Sequence, residues 1–209
     1  LNDSIIQSEA EFYTTIRAKC VPSRGANFLT TLLEEGVEYI EVRLLDVNPY
    51  EPLGVDEHAM RFLDTLLLHC LLIDSPVHDA DLCDSVDTNV VQIVRQGRQP
   101  DTHLDDQGTK RLASEWAAEI MDDLTKLAKQ LDQINETQAN QASIATQNKK
   151  IGHPDLTPSG QILADMKSQS IPFFRFAMNK STEHKAFFQD QPLTKDERAY
   201  FQHLARESV

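Results

Sequence analysis

Gly36-Val37-Glu38-Tyr39-Ile40-Glu41-Val42-Arg43-Leu44-Leu45-Asp46, followed at once by Val47-Asn48-Pro49, reads as one strand running into a loop. Apolar Ile40, Val42 and Leu44 alternate with Tyr39, Glu41 and Arg43, and a strand sends successive side chains to opposite faces. One face is therefore apolar and expected to be buried. Glu41 and Arg43 share the other, about 7 Å apart along the strand at the usual rise per residue. A carboxylate and a guanidinium fixed in this way could hold a metal ion and a phosphate, although the same spacing also fits an ion pair that neutralises itself on a sheet. Asn48-Pro49 ends the strand, because proline removes a ladder donor and restricts the residue before it.

Upstream, Phe12-Tyr13-Thr14-Thr15-Ile16-Arg17 is rich in β-formers and predicts a second strand, with Tyr13, Thr15 and Arg17 on one face. Between the two strands, Asn27 to Glu35 reads as a short helix that Gly36 terminates. Downstream the pattern turns helical. Asp56 caps a helix to about Ile73, apolar over more than one face through Met60, Phe62, Leu63, Leu66, Leu67, Cys70 and Leu71, which predicts a buried helix with Cys70 as a small core residue. Acidic residues around His78-Asp79-Ala80-Asp81 read as a helix start rather than a metal site, and that helix runs through Val94.

The segment 95–108 reads as a polar connection. From Thr109 to about Ile134, Leu112, Trp116, Ile120, Leu124, Leu127, Leu131 and Ile134 recur at spacings of three or four, which predicts an amphipathic helix. A polar helix within 135–150 follows. Thr157-Pro158 starts another helix, Phe173 to Phe188 forms a further one, and Thr194 with Glu197 has capping-box spacing for a last one to Ala205. The tail aromatics Phe173, Phe174, Phe176, Phe187, Phe188, Tyr200 and Phe201 are expected to be packing anchors. The fold class read from these patterns is α+β and predominantly helical, with one or a few strands near the N-terminal end.

Composition narrows the function. The 209 residues suffice for one sizeable core or part of a larger domain, and the formal net charge of -13 opposes binding to nucleic acid or an anionic membrane, which need concentrated Lys and Arg. No apolar run approaches the roughly 20 residues of a membrane-spanning helix. The three cysteines, Cys20, Cys70 and Cys83, form no CxxC pair, which points to a reducing compartment and so to the cytoplasm. A start at Leu1-Asn2-Asp3-Ser4, with no signal peptide, predicts a piece of a longer protein. Neither GxxxxGK[ST] nor GxGxxG occurs, and His58 and His69 stand in no HExxH.

The run from Glu38 to Pro49 closely resembles the proteobacterial glutamate–cysteine ligases, the γ-glutamylcysteine synthetases. Similarity extends through Tyr13-Thr14-Thr15-Ile16-Arg17, Gly54-Val55-Asp56, Arg61-Phe62-Leu63-Asp64, Gly97-Arg98, Leu131-Asp132 and His153-Pro154-Asp155-Leu156-Thr157. The resemblance implies the C-terminal portion of a glutamine-synthetase-like ligase fold. Residues 1–209 would be one portion, with active-site strands and loops in 1–55 and a helical remainder in 56–209. The upstream N-terminal part of the same enzyme would carry other metal ligands and much of the nucleotide and glutamate site, leaving this piece inactive alone.

The activity implied is ATP-dependent joining of the L-glutamate γ-carboxylate to the L-cysteine amine through a γ-glutamyl phosphate, the first step of glutathione biosynthesis. In that scheme Glu41 is a Mg2+ ligand and Arg43 contacts the transferring phosphoryl group of ATP. Tyr13 lines the cysteine pocket, with Arg17 nearby. Two alternatives stay open: another ATP-dependent carboxylate–amine ligase, and a non-catalytic helical interaction module.

Overall fold

The computed structural model describes residues 15–77 and 79–208. The chain divides into two compact units, Leu1–Val47 and Asn48–Val209.

In the first unit, β1 (Ile16–Lys19) pairs antiparallel with β2 (Tyr39–Val42), and α1 (Phe28–Glu35) lies between them in sequence. Local chemistry sets these bounds. The Asn27 side chain accepts hydrogen bonds from the Leu29 and Thr30 amides at 2.9 and 3.1 Å, satisfying donors that the first helical turn leaves open. Gly36 ends α1 with φ +88° and ψ -168°, a region that essentially glycine alone enters. That geometry turns the chain into β2. The strand is much shorter than the expected 36–46 run, since pairing extends past Val42 by one ladder bond, Arg43 N to the Thr15 carbonyl at 2.8 Å.

The apolar face of this pair is also more open than alternation suggested. Ile16, Ile40 and Leu44 are 46%, 47% and 52% exposed. Alternation decides which residues share a face; it carries no information on what covers that face.

The second unit is built on α2 (Glu57–Leu72), α4 (Ala113–Ile134) and α5 (Ala139–Gly152). Met121, Leu124 and Ala128 of α4 meet Ile144 of α5 in its core, with Phe62 and Leu66 of α2 packed against them. Small polar residues are buried here as well. Thr65 and Ser143 are fully buried, and the Ser143 hydroxyl donates to the His58 carbonyl at 2.6 Å, joining α5 to α2. Only one side of α2 is therefore buried. Met60, Leu71 and Leu72 are exposed and so is Cys70, which corrects the reading of α2 as a buried helix with Cys70 in its core.

Asp79 accepts from the Leu82 amide at 2.9 Å as the cap of α3 (Ala80–Gln96), in line with a helix start there; His78 lies outside the described residues. A hairpin then occupies what read as polar connection and first helical turn: β3 (His103–Asp106) pairs with β4 (Thr109–Leu112), and α4 begins four residues later than Thr109. Gln107 and Gly108 take φ +50° and +86°, the two left-handed residues that a tight hairpin turn demands. The Asn89 amide pairs with the backbone of Asp105 through bonds of 2.7 and 2.8 Å, which ties the hairpin to α3.

After a 3-10 turn at Pro154–Leu156 come α6 (Pro158–Gln169), α7 (Phe173–Gln189) and α8 (Lys195–Glu207). Thr157 caps α6 with Pro158 in its first turn, and Thr194 with Glu197 forms the expected capping box on α8. The loop that follows the 39–42 strand is pinned to these helices. Tyr50 donates to Asp165 of α6 at 2.8 Å, packs edge-on against Phe176 of α7, and has its phenol pushed up to about 12 by burial and by the Asp165 carboxylate. His184 of α7 bonds the Pro49 carbonyl at 2.9 Å.

Of the tail aromatics, Phe176 is a buried anchor, whereas Phe173, Phe174, Phe187, Phe188, Tyr200 and Phe201 are exposed, correcting the expectation that all of them pack. The whole is predominantly helical, with two small antiparallel sheets among the described residues. No helix there is long and apolar enough to cross a membrane.

Candidate functional site

The register of β1 on β2 gathers the sequence-predicted residues. Arg17 faces Glu41, Lys19 faces Tyr39, and Arg43 follows Glu41 by two residues, so these five side chains share one face. Ile16, Ala18, Ile40 and Val42 point the other way. Tyr13, assigned to the same group, lies outside the described residues.

On the polar face, Arg43 Nη2 donates to Glu41 Oε2 at 2.9 Å, both side chains being partly exposed. This hydrogen bond holds the Glu41 carboxyl below the usual range against the opposing effect of desolvation, and the charges of Arg43, Lys19 and Arg17 act in the same direction as the bond. Glu41 is thus a fixed carboxylate inside a group of three cations. Lys19 is half-buried, with its ammonium 4.8 Å from the centre of the Phe28 ring at the start of α1. The neighbouring carboxylate of Glu38 accepts from the Val21 amide at 2.9 Å and so serves the backbone.

Chemically, a strand-borne carboxylate offers hard oxygen donors suited to magnesium, and planar guanidinium groups suit phosphoryl oxygens. The described residues contain no group of three or more His, Cys, Asp or Glu able to hold a metal. Glu41 fits magnesium as one ligand of a set completed by other oxygens, as is usual for an ion that keeps waters and phosphates in its shell. Sequence reasoning missed Lys19. The signal that could have found it is parity: it continues the Thr15, Arg17 alternation by two residues.

A second feature, at Asp132, entered the sequence reading only as part of Leu131-Asp132, with no role attached. Asp132, 3% exposed near the end of α4, accepts four hydrogen bonds from the start of α5: the Asn140 amide (3.0 Å) and side chain (2.8 Å), and the Gln141 amide and side chain (both 3.0 Å). Burial alone would raise its pKa, and these four donors overcome that to hold it at about 2. The N-cap residue of α5, Gln138, makes no side-chain cap, so Asp132 does that work from the preceding helix.

The glutamate–cysteine ligase family model matches residues 1–93. The glutamate–cysteine ligase of Pseudomonas fluorescens (strain Pf-5) is 38% identical over all 209 residues of this chain, which cover 39% of that protein. The Pseudomonas aeruginosa enzyme (strain PAO1) is 37% identical over the same span, 40% of its length. In structure, the glutamate–cysteine ligase of Francisella tularensis, solved in complex with AMP, superposes with a TM-score of 0.89 at 28% identity, over the whole of this chain and 41% of that one. A bifunctional glutathione synthetase from Pasteurella multocida shares the fold at a TM-score of 0.58 and 19% identity, over 87% of this chain and 22% of that one. The chain is thus similar to glutamate–cysteine ligases along its whole length and spans about two fifths of the length of the curated relatives it matches.

Proposed function

We propose that this chain supplies the phosphoryl-handling face of a glutamate–cysteine ligase acting in the cytoplasm at the first step of glutathione biosynthesis. The observation that carries this reading is the register that sets Arg17, Glu41 and Arg43 on one face of β1 and β2. The AMP held by the Francisella tularensis relative supports a nucleotide as one ligand.

In the proposed reaction an oxygen of the L-glutamate γ-carboxylate attacks the γ-phosphorus of ATP, and ADP leaves. The L-cysteine amine then attacks the acyl carbon, inorganic phosphate departs, and the amine loses a proton. Negative charge gathers on the transferring phosphoryl oxygens, so a preset guanidinium stabilises that arrangement more than the separated reactants. Arg43 takes this role. Its hydrogen bond to Glu41 aims it, and Glu41 would be one ligand for Mg2+, which would supply charge neutralisation on the phosphates. Tyr13 and Arg17 are assigned to L-cysteine binding by the resemblance alone.

Two fifths of an enzyme carrying one metal ligand is an incomplete site, and the remaining part would complete it. Coupled ADP-release assays test the reading. A complete ligase carrying this chain is expected to release ADP when ATP, glutamate and cysteine are all present, and the 209-residue chain alone is expected to release none. Undiminished release with another amine in place of cysteine would instead support a different carboxylate–amine ligase. No glutamate-dependent release in any combination would support a non-catalytic module.

A further inference from the structure

α3 meets the β3–β4 hairpin through its polar side. Asn89 bonds the backbone of Asp105 in both directions at 2.7 and 2.8 Å, and Ser85, one turn earlier, donates to the Asp105 carboxylate. The apolar stripe lies to one side of that contact. Leu82, Val86, Val90 and Ile93 recur at spacings of four, four and three, with Val94 beside them. No residue of α3 is buried: Val86, Val90 and Ile93 are 43%, 44% and 44% exposed, and Val94 is 80% exposed.

A surface helix ordinarily does the reverse, since most of its stability comes from burying its apolar face. α3 also carries five β-branched aliphatic residues, whose loss of rotamer freedom in a helix is offset only by packing. An open stripe on such a helix is a contact surface.

Length and charge indicate the occupant. This chain covers 39% and 41% of the Pseudomonas fluorescens and Francisella tularensis ligases, so about three fifths of each lies outside it. Asp87, three residues from Val90 and seven from Val94, borders the stripe, with Asp84 one turn before it and Arg95 the one base of the helix. Two copies packed face to face would bring these acids together, and an anionic membrane would repel them.

We propose that the apolar stripe of α3 is the surface on which the remaining part of a glutamate–cysteine ligase packs, through apolar side chains edged by bases that meet Asp84 and Asp87. The proposal rests on the reading of this chain as part of such an enzyme, and it adds where the parts join.

The test is hydrogen–deuterium exchange of residues 80–96 in the 209-residue chain and in a complete ligase carrying it. Exchange is expected to slow about a hundredfold in the complete ligase. Val90→Glu, which puts a charge in the middle of the stripe, should remove at least about tenfold of that gain, whereas Thr88→Glu, on the exposed opposite side, should keep it. Should Val90→Glu fail to fold, Val90→Thr, which keeps the shape and adds a hydroxyl, takes its place with about a threefold loss. Equal exchange in both proteins overturns the proposal, whether the stripe stays open or another segment of this chain covers it. Protection that rises with the concentration of the 209-residue chain overturns it in favour of a second copy, and a gain untouched by either Val90 variant also overturns it. ADP release is measured on the same complete ligase. Glutamate-dependent release without a gain in protection removes the interface and leaves the ligase reading standing; a gain without release keeps the interface and overturns that reading.

Discussion

Replacing Arg43 by methionine is expected to lower the turnover of a complete ligase carrying this chain about a thousandfold, with a much smaller change in the Michaelis constant for ATP. The reason is differential: a guanidinium aimed at the transferring phosphoryl group gains most from the charge arrangement of the transition state, so its loss falls on turnover. Methionine keeps the stem and removes the charge. Lysine in its place should recover little, because a point charge cannot reproduce two parallel donors from a planar fork. Initial rates of coupled ADP release at saturating glutamate and cysteine give the measurement. A loss smaller than about tenfold would mean that Arg43 and Glu41 merely neutralise each other on the sheet.

Asp132 to alanine is expected to destabilise the second unit by about 3 kcal/mol, as judged by denaturant unfolding. Four donors lose their acceptor at once, two of them backbone amides of the first turn of α5 that no local side chain caps. The pH dependence follows from the direction of the shift. A carboxyl at about 2 in the folded chain and about 4 when unfolded contributes stability that is fully present above pH ~4. That contribution is lost as pH falls toward about 2. Asp132→Asn should unfold more readily at neutral pH and show a flatter acid limb between those values, because its side chain no longer titrates. An acid limb as steep as that of the unmodified protein would show that other carboxylates set the response.

The parts of this fold that rest on near neighbours were legible in the sequence. Asn27, Asp56, Thr157 and Thr194 each accept a hydrogen bond from an amide two or three residues on, so a short window holds the whole signal. Elements that depend on distant partners were not legible. The β3–β4 hairpin turns on Gln107-Gly108, a weaker cue than Asn-Gly, and is tied in place by Asn89, sixteen residues before its partner Asp105. Asp132 looks like any acid in an amphipathic helix until α5 folds back onto it.

For the candidate site, alternation placed Glu41 and Arg43 on one face, and the register added Arg17 and Lys19. Periodicity was a poor guide to burial. Ile40 and Leu44 obey the pattern of a core strand and Phe187 that of a packed helix, yet all three are exposed. In α2 the fully buried residue is Thr65, whose hydroxyl donates to the Arg61 carbonyl and so needs no water.

The ties made by Asp132 and by the loop at Pro49 and Tyr50 differ most in the length of chain they close. Asp132 reaches eight and nine residues ahead, whereas Tyr50 meets Asp165 and Pro49 meets His184 across 115 and 135 residues. The entropy lost on closing a loop rises with its length, and contacts distant in sequence delay folding. The α4–α5 pair is therefore the natural place for folding of the second unit to begin, its buried acid clasping the second helix as it forms. The loop leading out of the Glu41 and Arg43 strand docks onto α6 and α7 at the end. Pulse-labelled amide exchange should find α5 protected before the amides of 48–54, and the reverse order would place the nucleus elsewhere. On this order of events, the 48–54 segment is the last of its unit to become native and the first to let go.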